Sequence, residues 1–90
     1  MPSLISTESY ERRLKKFIKK HPNLKETYLR TLQLLEVDPF HPSLRTQKLK
    51  EALKSFHAVS LNLQYRIVLH FVLKNDQIIL IDIGSHDAVY

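Results

Sequence analysis

The stretch "YRIVLHFVLKNDQIILIDI", residues 65–83, decides the fold of this 90-residue chain. It consists of two apolar runs that are separated by the polar residues "KNDQ" at 74–77. A run that is apolar on both faces is typical of a central sheet strand covered on one side by helices. Because the turn between the runs is short, we expect the two strands to be antiparallel neighbours.

Two helices are predicted ahead of this strand pair. Ser6 or Thr7 offers a side-chain oxygen to cap the first helix, and "NLKE" at 23–26 resembles a capping box for the second. Pro22 separates the two helices, and Asp38-Pro39 ends the second. Each helix carries one apolar stripe, formed by Tyr10, Leu14, Phe17 and Ile18 in the first and by Leu24, Tyr28, Leu32 and Leu35 in the second.

Further strands are predicted on either side of the helices. "SLIS" at 3–6 is a short first strand, and Val59, Leu61 and Leu63 alternate with polar residues as in a half-buried strand. The expected fold class is therefore α+β, with a short N-terminal strand and a two-helix hairpin packed on an antiparallel sheet of about three further strands. Residues 1–90 are expected to form a single domain.

Positive charge is concentrated in the first part of the chain. The formal net charge is +5; residues 1–66 hold 13 basic and six acidic side chains, a charge of +7, and residues 67–90 have a charge of −2. Such a surface attracts phosphates, and it is equally compatible with a role in solubility alone. The sequence has no cysteine, no signal peptide and no apolar run long enough to cross a bilayer. A cytoplasmic location without membrane contact is therefore expected.

Residue spacing and composition argue against three kinds of site. The five histidines form no H-x-x-x-H pair and have no cysteine beside them, so neither a metal nor another cofactor is expected. Ser85, His86 and Asp87 are adjacent in sequence and cannot face one another as a catalytic triad does. Gly84 is the only glycine, so a glycine-rich phosphate loop is absent as well.

Arg66 and His86 form the remaining candidate site. Pairing about the turn at 74–77 brings residue 66 near residue 85, at one edge of the sheet. Arginine holds a phosphate by two-point contact, and histidine exchanges protons near neutral pH. These are groups that cleavage of RNA through its own 2′-hydroxyl requires. The alternative interpretation is structural, with Arg66 paired to Asp82 or Asp87 and His86 capping the strand.

Other aromatic and basic residues also allow two interpretations. Tyr90 is suited to stacking on an RNA base, or it is a loose terminal residue. Tyr65 is predicted to lie in the core, on the face opposite Arg66, and His70 is predicted to be structural. The basic face of the first helix is either a solvated face or a surface that guides the protein to ribosomal RNA.

The stretches "HPSLRTQKLKEAL" (41–53) and "NLQYRIVLHFVLKNDQIILIDIGSHDAVY" (62–90) resemble the RelE/ParE superfamily of bacterial type II toxins, near its RelE/StbE and YafQ-like branch. Within them, "L-x-YRIV" and "D-I-G-S-H-D-x-V-Y" are the specific parts, and the resemblance covers nearly the whole chain. It implies a RelE-like microbial ribonuclease fold. It also implies a ribosome-dependent endoribonuclease that cleaves translated mRNA in the ribosomal A site, held inactive by a cognate antitoxin protein in a hetero-oligomer.

The resemblance assigns roles to individual residues. By position, Arg66 contacts the scissile phosphate, His86 acts as acid or base, and Tyr90 serves in base stacking or proton transfer. The segment that grips the mRNA backbone corresponds to Arg45, Lys48 and Lys50, to which we add the neighbouring Gln47 and Lys54 as candidate RNA-binding residues.

Two residues depart from the pattern of the resembling toxins. Gln47 stands where many have a histidine, and glutamine cannot act as a general base, while Glu51 stands where many have a glycine. His57 is a spare candidate base. Two alternatives to the ribonuclease stay open, namely a non-enzymatic ParE-like inhibitor of DNA gyrase and a degenerate toxin that only binds its antitoxin. The presence of both Arg66 and His86 favours the ribonuclease.

Overall fold

The computed structural model describes residues 2–49, 56–72 and 75–85. In chain order the elements are β1 (Ser3–Ser6), α1 (Glu8–Lys20), a 3₁₀ turn (Pro22–Leu24), α2 (Lys25–Val37), a second 3₁₀ turn (Pro42–Leu44), β2 (Gln47–Lys48), β3 (Phe56–Ser60), β4 (Tyr65–Val72) and β5 (Gln77–Ser85). The strands form one sheet in the order β1-β5-β4-β3-β2. The predicted α+β class, with an N-terminal strand and two helices packed on a sheet, is confirmed.

The sheet is mixed because its first strand runs parallel to its last. β1 pairs with the first half of β5, from Ser3 opposite Gln77 to Ser6 opposite Leu80. The other neighbouring strands are antiparallel. β5 continues for five residues beyond the end of β1, so its outer edge at residues 81–85 has no strand beside it in the described part of the chain.

The first helix begins as predicted and the second does not. The Thr7 hydroxyl oxygen accepts a hydrogen bond from the Tyr10 backbone N–H at 3.1 Å, which caps α1. The predicted capping box at 23–26 is wrong, since α2 begins at Lys25 without a side-chain cap. Its first turn is preceded instead by the 3₁₀ turn, in which the N–H of Leu24 donates to the carbonyl of His21. Among the described residues, neither helix is both long and apolar enough to span a membrane.

The core lies between the helices and one face of the sheet. Tyr10, Phe17, Tyr28 and Leu35 are buried from the helix side, as their spacing predicted. They contact a layer of sheet residues made up of Val59, Ile67, Leu69, Ile78, Leu80 and Ile83. Within this core the hydroxyl groups of Tyr10 and Tyr28 are hydrogen-bonded at 2.7 Å, which joins the two helices to each other.

The third strand is shorter than predicted. β3 ends at Ser60, and residues 61–64 form a loop in which the side chain of Leu63 is 80% exposed. The Asn62 side-chain oxygen accepts hydrogen bonds from the N–H groups of Gln64 and Tyr65, each at 2.9 Å. This local turn replaces the strand ladder, as asparagine side chains commonly allow. The predicted strand is therefore wrong beyond Ser60.

The central strand pair is confirmed, with a register one residue from the predicted one. Arg66 lies opposite Gly84, and Tyr65 lies opposite Ser85. The register shifts between Val68 and Leu69, whose partners are Asp82 and Leu80. One extra residue therefore stands in β5 at this point, as in a β-bulge.

Candidate functional site

Arg66 is the second residue of β4 and lies on the sheet face that points away from the helices. Its neighbour Ile67 is buried on the helix side, and side chains alternate along a strand. The Arg66 Nη1 group donates to the Ser60 hydroxyl oxygen at 2.9 Å and to the Asn62 carbonyl oxygen at 3.0 Å. The Ser60 hydroxyl donates in turn to the Asn62 carbonyl at 2.8 Å. The last residue of β3 and the loop that follows it therefore fix one edge of the guanidinium.

Among the described residues, no side chain faces Arg66 from β5, because its partner on that strand is a glycine. Opposite residues of an antiparallel pair bring their Cβ atoms within about 5 Å, and Gly84 has no Cβ. Within the described residues, every hydrogen bond of Arg66 uses Nη1. Nε and Nη2 are thus the donors with which this arginine can hold an oxyanion in two-point contact.

Asp82, one of the two structural partners predicted for Arg66, forms an ion pair with a different arginine. Asp82 lies 3.6 Å from the Nη1 of Arg13 on α1, so the ion pair that it forms is with that residue. Asp87, the other predicted partner, lies outside the described residues, as do His86, Tyr90, Lys50, Lys54 and Glu51. In sequence, His86 directly follows Ser85, the last residue of β5.

The described part of the basic segment divides between the two faces of the sheet. Arg45 is exposed and adopts a left-handed conformation, with φ of 49°, just before β2. Gln47 pairs with Ala58, so it lies on the same face as Arg66. The Cα atoms of Gln47 and Arg66 would be roughly 12 Å apart in an ideal sheet. Lys48 pairs with His57 on the opposite face. Of the described pair in β2, the structure thus brings only Gln47 to the Arg66 face.

His57 and His70 occupy aromatic contacts on opposite faces. The ring of His57 lies 4.7 Å from that of Phe71 and 6.2 Å from that of Phe40, on the helix side of the sheet. It therefore does not share a face with Arg66 and is not placed to act as a base there. His70 lies on the Arg66 face and packs against Phe56, with ring centres 5.1 Å apart, in agreement with its predicted structural role.

A second feature, which the sequence did not reveal, is an open pocket at the end of β5. We call it the strand-end pocket; its volume is about 410 Å³. Three cations of α1 line one side, Arg13, Lys16 and Lys20. The rings of Phe17, His21 and Tyr65 line another, and Ile83–Ser85 complete it. Tyr65 was predicted to be a core residue on the face opposite Arg66. It does pack against the core, but it is only half-buried and also lines this pocket.

One sequence signal could have located this pocket. Its five α1-side residues fall at positions 13, 16, 17, 20 and 21, which is the spacing of a single helix face. The apolar and the basic stripes of this helix, when considered separately, do not reveal this mixture of aromatic and basic residues on one face. The described residues contain no group of three or more His, Cys, Asp or Glu side chains that could hold a metal ion.

Comparison with solved structures shows which proteins share this architecture. A metal-bound toxin from Helicobacter pylori superposes with a TM-score of 0.79 at 23% identity, covering 100% of both chains. A YoeB/ParE toxin from Agrobacterium tumefaciens gives a TM-score of 0.77 at 14% identity, covering 93% of this chain and 98% of that one. A chain of the DinJ-YafQ toxin-antitoxin complex from Escherichia coli gives 0.74 at 18% identity, covering 99% and 97%.

No protein-family model matches the sequence, and no curated protein matches it either. At identities this low, the agreement in structure establishes the fold. The neighbours are toxins of the kind that the sequence resembles, so the predicted RelE-like architecture is confirmed. The chain therefore has the fold of the YafQ-like and YoeB/ParE-like bacterial toxins.

Proposed function

We propose that this chain is the toxin of a type II toxin–antitoxin system and that it is an endoribonuclease that cleaves translated mRNA in the ribosomal A site. The observation that carries the proposal is the setting of Arg66. One edge of its guanidinium is held by Ser60 and Asn62, and the opposite strand offers a glycine instead of a side chain. An arginine held in this way, in a fold shared with bacterial toxins, is suited to binding a phosphate.

The proposed reaction uses the RNA's own 2′-hydroxyl as the nucleophile. Its oxygen attacks the adjacent phosphorus, the bond from phosphorus to the 5′-oxygen breaks, and the products are a 2′,3′-cyclic phosphate and a 5′-hydroxyl. Arg66 neutralises the additional negative charge of the phosphorane. This stabilisation is greatest when the charged group is already held in position before the reaction. A proton leaves the attacking 2′-hydroxyl and a proton is delivered to the leaving 5′-oxygen, and His86 acts as the acid or the base in this exchange. Tyr90 stacks on a base beside the cleaved bond.

Two partners follow from the proposal. Arg45, Lys48, Lys50 and Lys54, with Gln47, would contact the mRNA backbone, for which the positive charge of residues 1–66 is favourable. A cognate antitoxin would hold the toxin inactive in a hetero-oligomer. The solved complex of YafQ with DinJ supports this arrangement because its toxin has the same fold.

Primer extension on a defined transcript, with and without translating ribosomes, tests the proposal. The protein should produce in-frame cuts that require ribosomes. Arg66→Ala should reduce cleavage by about 10²–10³-fold, the cost of removing one group that stabilises developing charge. Arg66→Lys retains the charge without the forked geometry and should recover only part of the activity.

The controls separate a loss of chemistry from a loss of fold. Arg66→Ala removes two hydrogen bonds of a charged group at a half-buried position, a cost of about 3 kcal/mol. This is less than the roughly 5–15 kcal/mol by which most domains are stable, so the variant should still fold and bind antitoxin. An unfolded variant would return Arg66 to a structural role. Intact transcript together with arrested growth would favour a ParE-like gyrase inhibitor, and intact transcript with normal growth would favour a degenerate toxin.

A further inference from the structure

The strand-end pocket lies directly behind Arg66. Tyr65 and Ser85 both line it, and they form the residue pair next to Arg66 and Gly84 in the ladder. Successive Cα atoms are only about 3.8 Å apart, while their side chains point to opposite faces of the sheet. A chain molecule that passes around this end of the sheet would therefore meet Arg66 on one face and the pocket on the other.

The pocket carries more positive charge than the described residues around it neutralise. Arg13, Lys16 and Lys20 stand at i, i+3 and i+7 on α1, and each is exposed. Asp82 offsets Arg13 at 3.6 Å, but within the described residues Lys16 and Lys20 make no ion pair. The occupant that this charge favours is an anion.

The pocket also has an aromatic side that the core does not cover. The ring centres of Phe17, His21 and Tyr65 lie 4.8–5.1 Å from one another. Phe17 is buried beneath, whereas His21 and Tyr65 are half-exposed. A positively charged groove beside exposed rings is the arrangement with which proteins bind single-stranded nucleic acid, because the rings stack on bases and the cations contact phosphates.

We propose that the strand-end pocket binds one nucleotide of a single-stranded RNA, with its base against His21 and Tyr65 and its phosphate between Lys16 and Lys20. This deepens the proposed function, on which the choice of RNA rests, by adding a subsite on the face opposite Arg66. An acidic peptide with an apolar anchor is the competing occupant. The pocket is open and its His21 and Tyr65 rings are half-exposed, which suits a flat base that stacks on them better than a branched aliphatic side chain.

Binding of a fluorescently labelled, single-stranded 2′-O-methyl RNA, measured by anisotropy, tests the subsite without requiring cleavage. In Lys16→Ala/Lys20→Ala the affinity should fall about tenfold or more. The slope of log K against log salt should become shallower by roughly 1.4, the change expected when two phosphate contacts are lost from a single strand. Lys15→Ala/Lys19→Ala is the matched control, since it removes the same charge from exposed positions outside the pocket. Its affinity should fall less than about threefold.

A stacking variant gives an independent readout. Tyr65→Leu should weaken binding of the same RNA about tenfold at high salt, where screening has removed most of the electrostatic contribution. Tyr65→Phe keeps the ring and should bind as the unaltered protein does. Thermal unfolding of both variants shows whether any loss of RNA binding comes from misfolding. A folded Tyr65→Leu protein that binds the RNA normally would overturn the role of the ring.

The outcomes keep this subsite separate from the proposed ribonuclease. Equal affinities of the two double-lysine variants would overturn the subsite even if ribosome-dependent cleavage is found. If only Lys16→Ala/Lys20→Ala loses affinity for the RNA, and the unaltered protein cleaves no transcript, the results would support the subsite and count against the ribonuclease. If Lys16→Ala/Lys20→Ala binds RNA as the unaltered protein does but binds a short Glu/Leu peptide more weakly, the proposed nucleotide occupant is wrong and a peptide occupant is favoured.

Discussion

An arginine at the start of an apolar strand requires partners for its guanidinium, because a half-buried charge without hydrogen bonds is costly. Ser60 at the end of β3 and Asn62 in the loop that precedes β4 supply those partners to Arg66. Arg66 was recognisable in the sequence because it is a charged residue at the start of an apolar run. Its partners were not recognisable, because they depend on a turn at 61–64 that the alternating pattern of Val59, Leu61 and Leu63 concealed.

We predict that Ser60 acts as a positioning residue for Arg66. Ser60→Ala removes the oxygen that accepts from Nη1, a hydrogen bond to a charged group worth about 1.5–3 kcal/mol. If part of that energy orients the guanidinium, cleavage should fall about tenfold while the KM for RNA changes little. Ser60→Thr keeps the hydroxyl and should restore the rate, as ribosome-dependent cleavage assays would show. Equal losses in both variants would indicate a packing defect at this position.

At the scale of the elements, the helices and the β4–β5 pair followed from hydrophobic periodicity, while the connections did not. The start of α2 was predicted from a side-chain motif, but the 3₁₀ turn at Pro22–Leu24 satisfies the local backbone without it. β1 is four residues long, and so short a strand does not encode the direction of its partner. Its parallel pairing with β5 is therefore a product of tertiary packing.

The hydrogen bond between Tyr10 and Tyr28 joins α1 to α2 inside the core. Tyr28→Phe should lower the free energy of unfolding by about 1–3 kcal/mol, because it leaves the buried Tyr10 hydroxyl without its partner. Tyr10→Phe should act similarly from the other side. The double variant removes both polar groups, so its loss should be smaller than the sum of the two single losses. Urea denaturation of the four proteins measures this coupling, and strictly additive losses would contradict it.

The same pair should make the fold sensitive to alkaline pH. Burial raises the pKa of Tyr10 above its ordinary value of 10.0, and burial is also the main cause of the raised pKa of Tyr28. Unfolded chains lose these protons near pH 10 while the folded protein keeps them. The stability is therefore fully present below pH 10 and falls as the pH rises above it, by up to about 1.4 kcal/mol per pH unit for each tyrosine. Denaturation curves between roughly pH 9 and pH 11 should show this slope reduced in Tyr10→Phe/Tyr28→Phe.

At the scale of the whole molecule, the basic residues of α1 fall into two groups according to their position relative to the strand-end pocket. Arg13, Lys16 and Lys20 line the strand-end pocket, whereas Lys15 and Lys19 are exposed elsewhere on the helix. The sequence alone gave a basic face and could not distinguish these groups, since the distinction depends on where β5 ends against α1. Exposed charges that do not contact a ligand act at long range and change its rate of encounter, while contacting charges mainly change its rate of release.

This difference gives a kinetic prediction for binding to ribosomes or RNA. Lys15→Ala/Lys19→Ala should lower the association rate constant by less than about threefold at low salt and leave the dissociation rate constant unchanged. Lys16→Ala/Lys20→Ala removes the same formal charge and should instead raise the dissociation rate constant by about tenfold. Surface plasmon resonance at two salt concentrations separates the constants, and the association effect should shrink as screening increases. If both variants changed only association, the pocket lysines would act through long-range attraction, and no nucleotide would be held between them.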